Sequence, residues 1–171
     1  MALRPGRCTR RIRRPWTRIS KRKPRKSYVV GVPHPRIHLF EMGNKVKEFN
    51  TNMWLITERP VQIRDNALEA ARVVANKFLE KTIGSENYFM KMLLFPHQVL
   101  REHALATGAG ADRFSMGMRK AFGKPKGRAV IVEKNKRIIW LRLDKKNIEI
   151  GKKALHRADS KLPTPCRIVI Q

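Results

Sequence analysis

Side chains able to do covalent chemistry are few in this chain and poorly grouped. His34, His38, His97, His103 and His156 include no pair three to five residues apart on one helix, and no CxxC pair accompanies them. A metal centre therefore has no ligand set, and no metal is expected. Cys8 and Cys166 lie near opposite ends of the chain and read as unremarkable thiols of a cytosolic protein. The thirteen acidic residues are scattered. Only Asp112, beside Arg113, lies in a glycine-bearing loop, and one carboxylate without a partner is no general acid–base pair.

Two glycine-bearing stretches come closest to a nucleotide cradle. Gly108-Ala109-Gly110-Ala111-Asp112 has half of a dinucleotide fingerprint but follows an expected helix where that motif requires a strand. Gly123-Lys124-Pro125-Lys126-Gly127 lacks the GK[ST] ending of a P-loop. Both are rejected. No catalytic residue and no cofactor are expected, and nothing demands an enzyme.

What remains is chemistry toward a polyanion. Arg113, Arg119, Lys120, Lys124, Lys126 and Arg128 put six cations and no acid into residues 113–128, with Phe114, Met116, Met118 and Phe122 interleaved. Gly117, Gly123 and Gly127 let backbone approach a phosphate closely. Such a mixture suits a loop pinned to a domain and pressed onto RNA. The alternative is that the apolar residues are core and the charges merely solvated.

The first 28 residues are more basic still. Arg4, Arg7, Arg10, Arg11, Arg13, Arg14, Arg18, Lys21, Arg22, Lys23, Arg25 and Lys26 surround Trp16 without one acid. Arginine dominates, and its planar fork takes phosphate oxygens in pairs and stacks on bases. With few apolar groups the arm is expected to be disordered alone and to fold on its target. The chain of 171 residues carries a net charge of +26, of which residues 29–95 hold only +2. A core of ordinary charge thus sits between two polyanion-binding ends, and self-repulsion in the compact state calls for an external counter-charge. Basic, acid-free residues at an N-terminus also fit an organelle transit peptide, but Pro5, Pro15 and Pro24 interrupt the helix one needs, so the arm reads as mature protein. No uninterrupted apolar stretch exceeds four residues, as at residues 92–95, far too short to span a membrane.

These groups need a scaffold. Alternation predicts a strand over residues 36–42, a turn at 43–45, and further strands at 53–57 and 61–63. A helix is expected over 66–81, with Asn66 as N-cap, Glu69 completing a capping-box-like start, Leu68, Ala71, Ala75 and Phe78 or Leu79 on one face, and Gly84 ending it. A strand over 88–95 and a second helix over 97–106 follow. Strands at 128–133 and 137–143 should join at a turn around Asn135, then a third helix over 147–158 and a closing strand at 166–170. Mixed elements with hairpins indicate an α+β fold, an antiparallel or mixed sheet with two or three helices packed on it. The division expected is an arm, residues 1–28, and a single α+β domain, residues 29–171.

The run from Gly110 to Gly127, GADRFSMGMRKAFGKPKG, resembles the signature of the L-ten-e family of large-subunit ribosomal proteins, the archaeal counterpart of bacterial L-sixteen. Residues 67–77, Phe95-Pro96-His97 and the opening Arg4-Pro5-Gly6-Arg7-Cys8 are similar to that family as well, so the resemblance covers nearly the whole chain. It implies helices packed on an antiparallel sheet, seated in large-subunit rRNA among neighbouring ribosomal proteins. It also implies that the loop between the second helix and the signature points toward the peptidyl transferase centre and the A-site tRNA. On this chain that loop is Thr107, Gly108, Ala109, Gly110, Ala111 and Asp112, with Arg101 near its base. An end at Gln171 suits the archaeal branch. Neither a membrane nor a homo-oligomer is expected. The rival readings are an RNA-modifying enzyme that would depend on Asp112 and a free nucleic-acid-binding module.

Overall fold

The computed structural model describes residues 3–12, 29–119 and 121–171. Among these residues, eight strands form two antiparallel sheets. They are β1 (Glu41–Gly43), β2 (Thr51–Thr57), β3 (Val61–Arg64), β4 (Tyr88–Met92), β5 (Gln98–Glu102), β6 (Lys124–Val132), β7 (Arg137–Leu143) and β8 (Cys166–Ile170). Five are hydrogen-bonded in the order β1-β4-β7-β2-β8, and the other three in the order β3-β6-β5. Two helices, α1 (Asp65–Ile83) and α2 (Ile148–Asp159), lie side by side and cover one face of the larger sheet. The fold is therefore α+β.

The core follows from period. Leu68, Ala71, Ala75 and Leu79 of α1 are fully buried and meet Met53, Leu55, Met90, Leu141 and Leu143 of the sheet. Full burial of each leucine contributes about 1.5–3 kcal/mol. Helix α2 adds Ala154, Leu155 and Ala158. A glycine sits in its interior because a methyl at Gly151 would stand 2.7 Å from Leu143 Cδ2 and 2.8 Å from Met53 Sδ. That glycine sets how closely the helix lies on the sheet.

The two sheets share one continuous corner, where β6 turns into β7 through Asn135 in the left-handed region (φ 64°). Thr57 holds this corner. Its buried hydroxyl donates to Glu133 O at 2.7 Å and accepts from Lys136 N at 3.1 Å. A buried polar side chain is thereby satisfied where the chain passes from β6 in one sheet to β7 in the other.

Several expectations need correction. Residues 97–106 are not a helix; strand β5 occupies 98–102, pairing with β6 from Gln98↔Ala129 to Glu102↔Lys124. Val99 and Leu100 are both buried and would suit a helical face as well as a strand; it is the pairing with β6 that decides for the strand. The expected strand over 36–42 contracts to Glu41–Gly43 because upstream backbone is diverted: Arg36 N–H donates to Asp65 Oδ2 at 3.0 Å. Asn66 does not cap α1, which starts one residue earlier. Asp65 Oδ1 accepts from Asn66 N–H at 2.9 Å, and Glu69 pairs with Arg72 instead. The strand expected over 88–95 ends at Met92, although Leu93 N–H still reaches Ile138 O at 2.8 Å.

Candidate nucleic-acid interface

Strands β5 and β6 are consecutive and antiparallel, so residues 103–123 form one long hairpin loop at their end. The loop expected after a second helix thus follows a strand, and both its ends are fixed by the same sheet. Its neck is tight. Gly123 has φ +79°, and a Cβ there would stand 2.7 Å from Glu102 C and 2.9 Å from His103 N. Arg101 donates to Gly123 O at 3.0 Å and stacks 4.4 Å over the Phe122 ring, placing its charge at the loop's base. Pro125, opposite Arg101, is tolerated in this central strand because the ladder shifts register there, leaving Lys126 as an extra residue.

Within the loop, Gly108 (φ +116°) and Gly110 (φ +74°) turn the chain into a 3-10 turn at Ala111–Arg113. Ser115 closes this tip: its hydroxyl accepts from Ala106 N–H at 3.2 Å and its N–H donates to Ala111 O at 2.9 Å. His103 Nε2 lies 2.6 Å from Gly117 O and joins the base to the far limb. Thr107, Gly108, Ala109, Gly110 and Asp112 are exposed and Ala111 is half-buried. Among the described residues, no group of His, Cys, Asp and Glu side chains could hold a metal ion.

The apolar residues of this segment are not core. Phe114 is 86 % exposed, and Met116, Met118 and Phe122 are each at least 65 % exposed. Exposed apolar side chains gathered on one loop mark a contact surface. Arg113, Arg119 and Lys124 are exposed among them, and Asp112 is the only acid between residues 103 and 128. The surface can grip an anion while packing flat side chains against a partner.

The described part of the arm lies against the smaller sheet. Gln62 of edge strand β3 donates from N to Arg10 O and from Nε2 to Thr9 O, each at 2.9 Å. Arg64 donates to Arg4 O, and Arg4 Nε pairs with Glu102 Oε1, both at 2.7 Å. Arg7, Arg10 and Arg11 are exposed. Arg13, Arg14, Trp16, Arg18, Lys21, Arg22, Lys23, Arg25, Lys26 and Lys120 lie outside the described residues.

Between arm and hairpin neck opens a cleft of about 430 Å³, lined by Arg4, Arg36, Arg64, Arg101 and Lys126, with Glu102 and Asp65 as its acids. Both acids are already engaged, by Arg4 and by the backbone of residues 36 and 66. Arg36 and Arg64 escape a reading by sequence, since each stands in a segment of balanced charge and joins the cleft only by folding. Arg128 does not line the cleft itself but donates to the carbonyl of Pro33, which does, at 2.8 Å.

An all-antiparallel α+β body with a carboxylate-poor basic hairpin and a basic arm has the charge distribution of a protein that meets a polyanion. The model of the family described as Ribosomal protein L16p/L10e matches residues 16–169. Proteins named "Large ribosomal subunit protein uL16" are similar over most or all of the chain. That of Archaeoglobus fulgidus is 48 % identical over 171 residues, 100 % of this chain and 94 % of its own. That of Picrophilus torridus is 51 % identical over 146 residues, 85 % and 83 % respectively. In Staphylothermus marinus the figure is 47 % over 172 residues, covering 100 % and 95 %. The chain belongs to the ribosomal protein L16p/L10e family.

Proposed function

We propose that this protein is a structural constituent of the cytoplasmic large ribosomal subunit, holding to large-subunit rRNA and neighbouring ribosomal proteins and supporting A-site tRNA near the peptidyl transferase centre. It is a building element of the particle and not an enzyme. The observation that carries this reading is the full-length similarity to proteins of that name, on a chain of net charge +26.

Arm and hairpin act by different physics. The arm contributes charge: each phosphate it neutralises releases condensed counterions, so with about ten such contacts affinity falls roughly as the seventh to ninth power of salt. A-form major grooves hide base edges, so recognition is of RNA shape and backbone. Residues 113–128 add flat and flexible apolar side chains to the same task. The tip, Thr107 to Asp112, has little charge and much exposed backbone, suited to steric support of tRNA without covalent chemistry.

Removal of residues 107–112 tests the division. Subunits carrying the shortened chain should retain it at normal stoichiometry while tRNA accommodation slows. Loss of the chain from subunits, with normal accommodation by those that keep it, would refute the role given to the tip.

A further inference from the structure

The face of the larger sheet turned away from the helices carries a second set of cations. Alternation and register put Phe89, Arg142 and Asn52 in one row across β4, β7 and β2, and Lys91, Trp140 and Trp54 in the next. A register shift then intervenes: Leu55 faces Ile139, but Ile56 faces Arg137, leaving Ile138 as an extra residue. Such a bulge re-aims the side chain beyond it. It brings Arg137 onto the face of Trp140 and Arg142, where its guanidinium lies 4.7 Å over the Trp54 ring.

Arg142 is held more closely. Its guanidinium lies 4.4 Å from the Phe89 centroid, 5.0 Å from Trp140 and 6.0 Å from Phe49. Trp140 is itself fixed, donating from Nε1 to Asn52 Oδ1 at 3.1 Å. Among the described residues neither Arg137 nor Arg142 meets a carboxylate, and Arg142 Nε is buried without a partner. A guanidinium has five N–H donors in a planar fork. Aromatic rings satisfy its faces and leave its edges for an anion. The acids nearest this face among the described residues, Glu41 and Asp144, are already held, the first by Lys45 and Lys91 and the second by Lys47. The two arginines are separated by four strand steps, roughly 13 Å, too far to share one phosphate.

We propose that this sheet face is a second RNA-backbone surface, on which Arg137 and Arg142 present ring-held forks to phosphates of an rRNA segment separate from those met by the arm and the hairpin. RNA is favoured over an acidic protein because the half-buried Trp140 lies beside the fork that takes the phosphate, offering a base something to stack on. The identity of the polyanion rests on the ribosomal reading above; the existence of the surface rests on the sheet.

The test compares large subunits carrying the native chain with subunits carrying Arg137→Gln/Arg142→Gln, by hydroxyl-radical footprinting of the rRNA backbone. The variant should still co-sediment with the subunit, held by arm and hairpin, while protection of one contiguous rRNA segment is lost. For the purified chain binding large-subunit rRNA, the log–log salt slope should become shallower by about 1.4–1.8, the share of two phosphates. Arg137→Lys/Arg142→Lys keeps the charge without the planar fork, so the slope should return and protection stay weakened. If circular dichroism shows the Gln pair unfolded, the Lys pair decides by footprint alone. An unchanged footprint overturns the proposal, as does loss of a cross-link to a neighbouring protein with rRNA protection intact. Failure of the ribosomal reading looks different: the native chain would then protect no large-subunit rRNA at all.

Discussion

Gly123→Ala tests whether the hairpin neck positions the loop. The residue sits at φ +79°, where an L side chain costs about 1–2 kcal/mol. Its new methyl would press within 2.7–2.9 Å of backbone atoms of Glu102 and His103, which no rotamer change relieves. The strands must part, and the bond from Arg101 to Gly123 O goes with them, at about 1.5 kcal/mol for a charged donor. The expected total is about 3 kcal/mol. Gly117→Ala is the matched control, with φ +56° and open space around its Cβ, so it carries the conformational cost alone. Urea unfolding followed by circular dichroism measures the two totals, and amide exchange in β5 locates the loss. In subunits, Gly123→Ala should slow tRNA accommodation while leaving the chain in place. Equal destabilisation by the two substitutions, with unchanged exchange in β5, would refute the argument that the neck is sterically set.

Three other outcomes follow from named contacts. Thr57→Val leaves Glu133 O and Lys136 N without the buried hydroxyl that joins the sheets, and should cost about 2 kcal/mol, or about 4–8 °C in Tm, with Thr57→Ser near native. Glu41, bonded by Lys45 and Lys91, has its carboxyl lowered from 4.5 to about 2. Its contribution is therefore complete above pH 4.5 and lost as pH falls toward 2, so Tm followed from pH 5 to pH 2 should drop less in Glu41→Gln than in the native chain. Burial, with Asp159 nearby, pushes the Cys166 thiol up, whereas Cys8 is exposed; iodoacetamide at pH 8 should alkylate Cys8 first, as mass spectrometry of the peptides would show.

Much of the scaffold was legible because its signals are local. The stripe Leu68, Ala71, Ala75 and the terminating Gly84 mark α1, with the choice between Phe78 and Leu79 decided for Leu79 only by the packing, and Asn135 marks the turn between β6 and β7. Strand β5 was misread because Val99, Leu100 and His103 also suit a helical face, and only pairing with β6 decides between the two. The composition of the hairpin was readable from its cations and glycines. Its exposure was not, since Phe114 and Met116 would look the same in a core. Arg36 and Arg64 of the cleft, and the ring-held pair Arg137 and Arg142, come together only through long-range register, which spacing along the chain does not encode.

Sedimentation of extract from cells producing the tagged chain, through a sucrose gradient at moderate salt, addresses the central claim most directly. A polycation whose counter-charge is large-subunit rRNA should run almost wholly with large subunits and complete ribosomes, and leave them only as salt is raised steeply. A chain found at the top of the gradient, or bound to duplex DNA as readily as to large-subunit particles, would contradict the account.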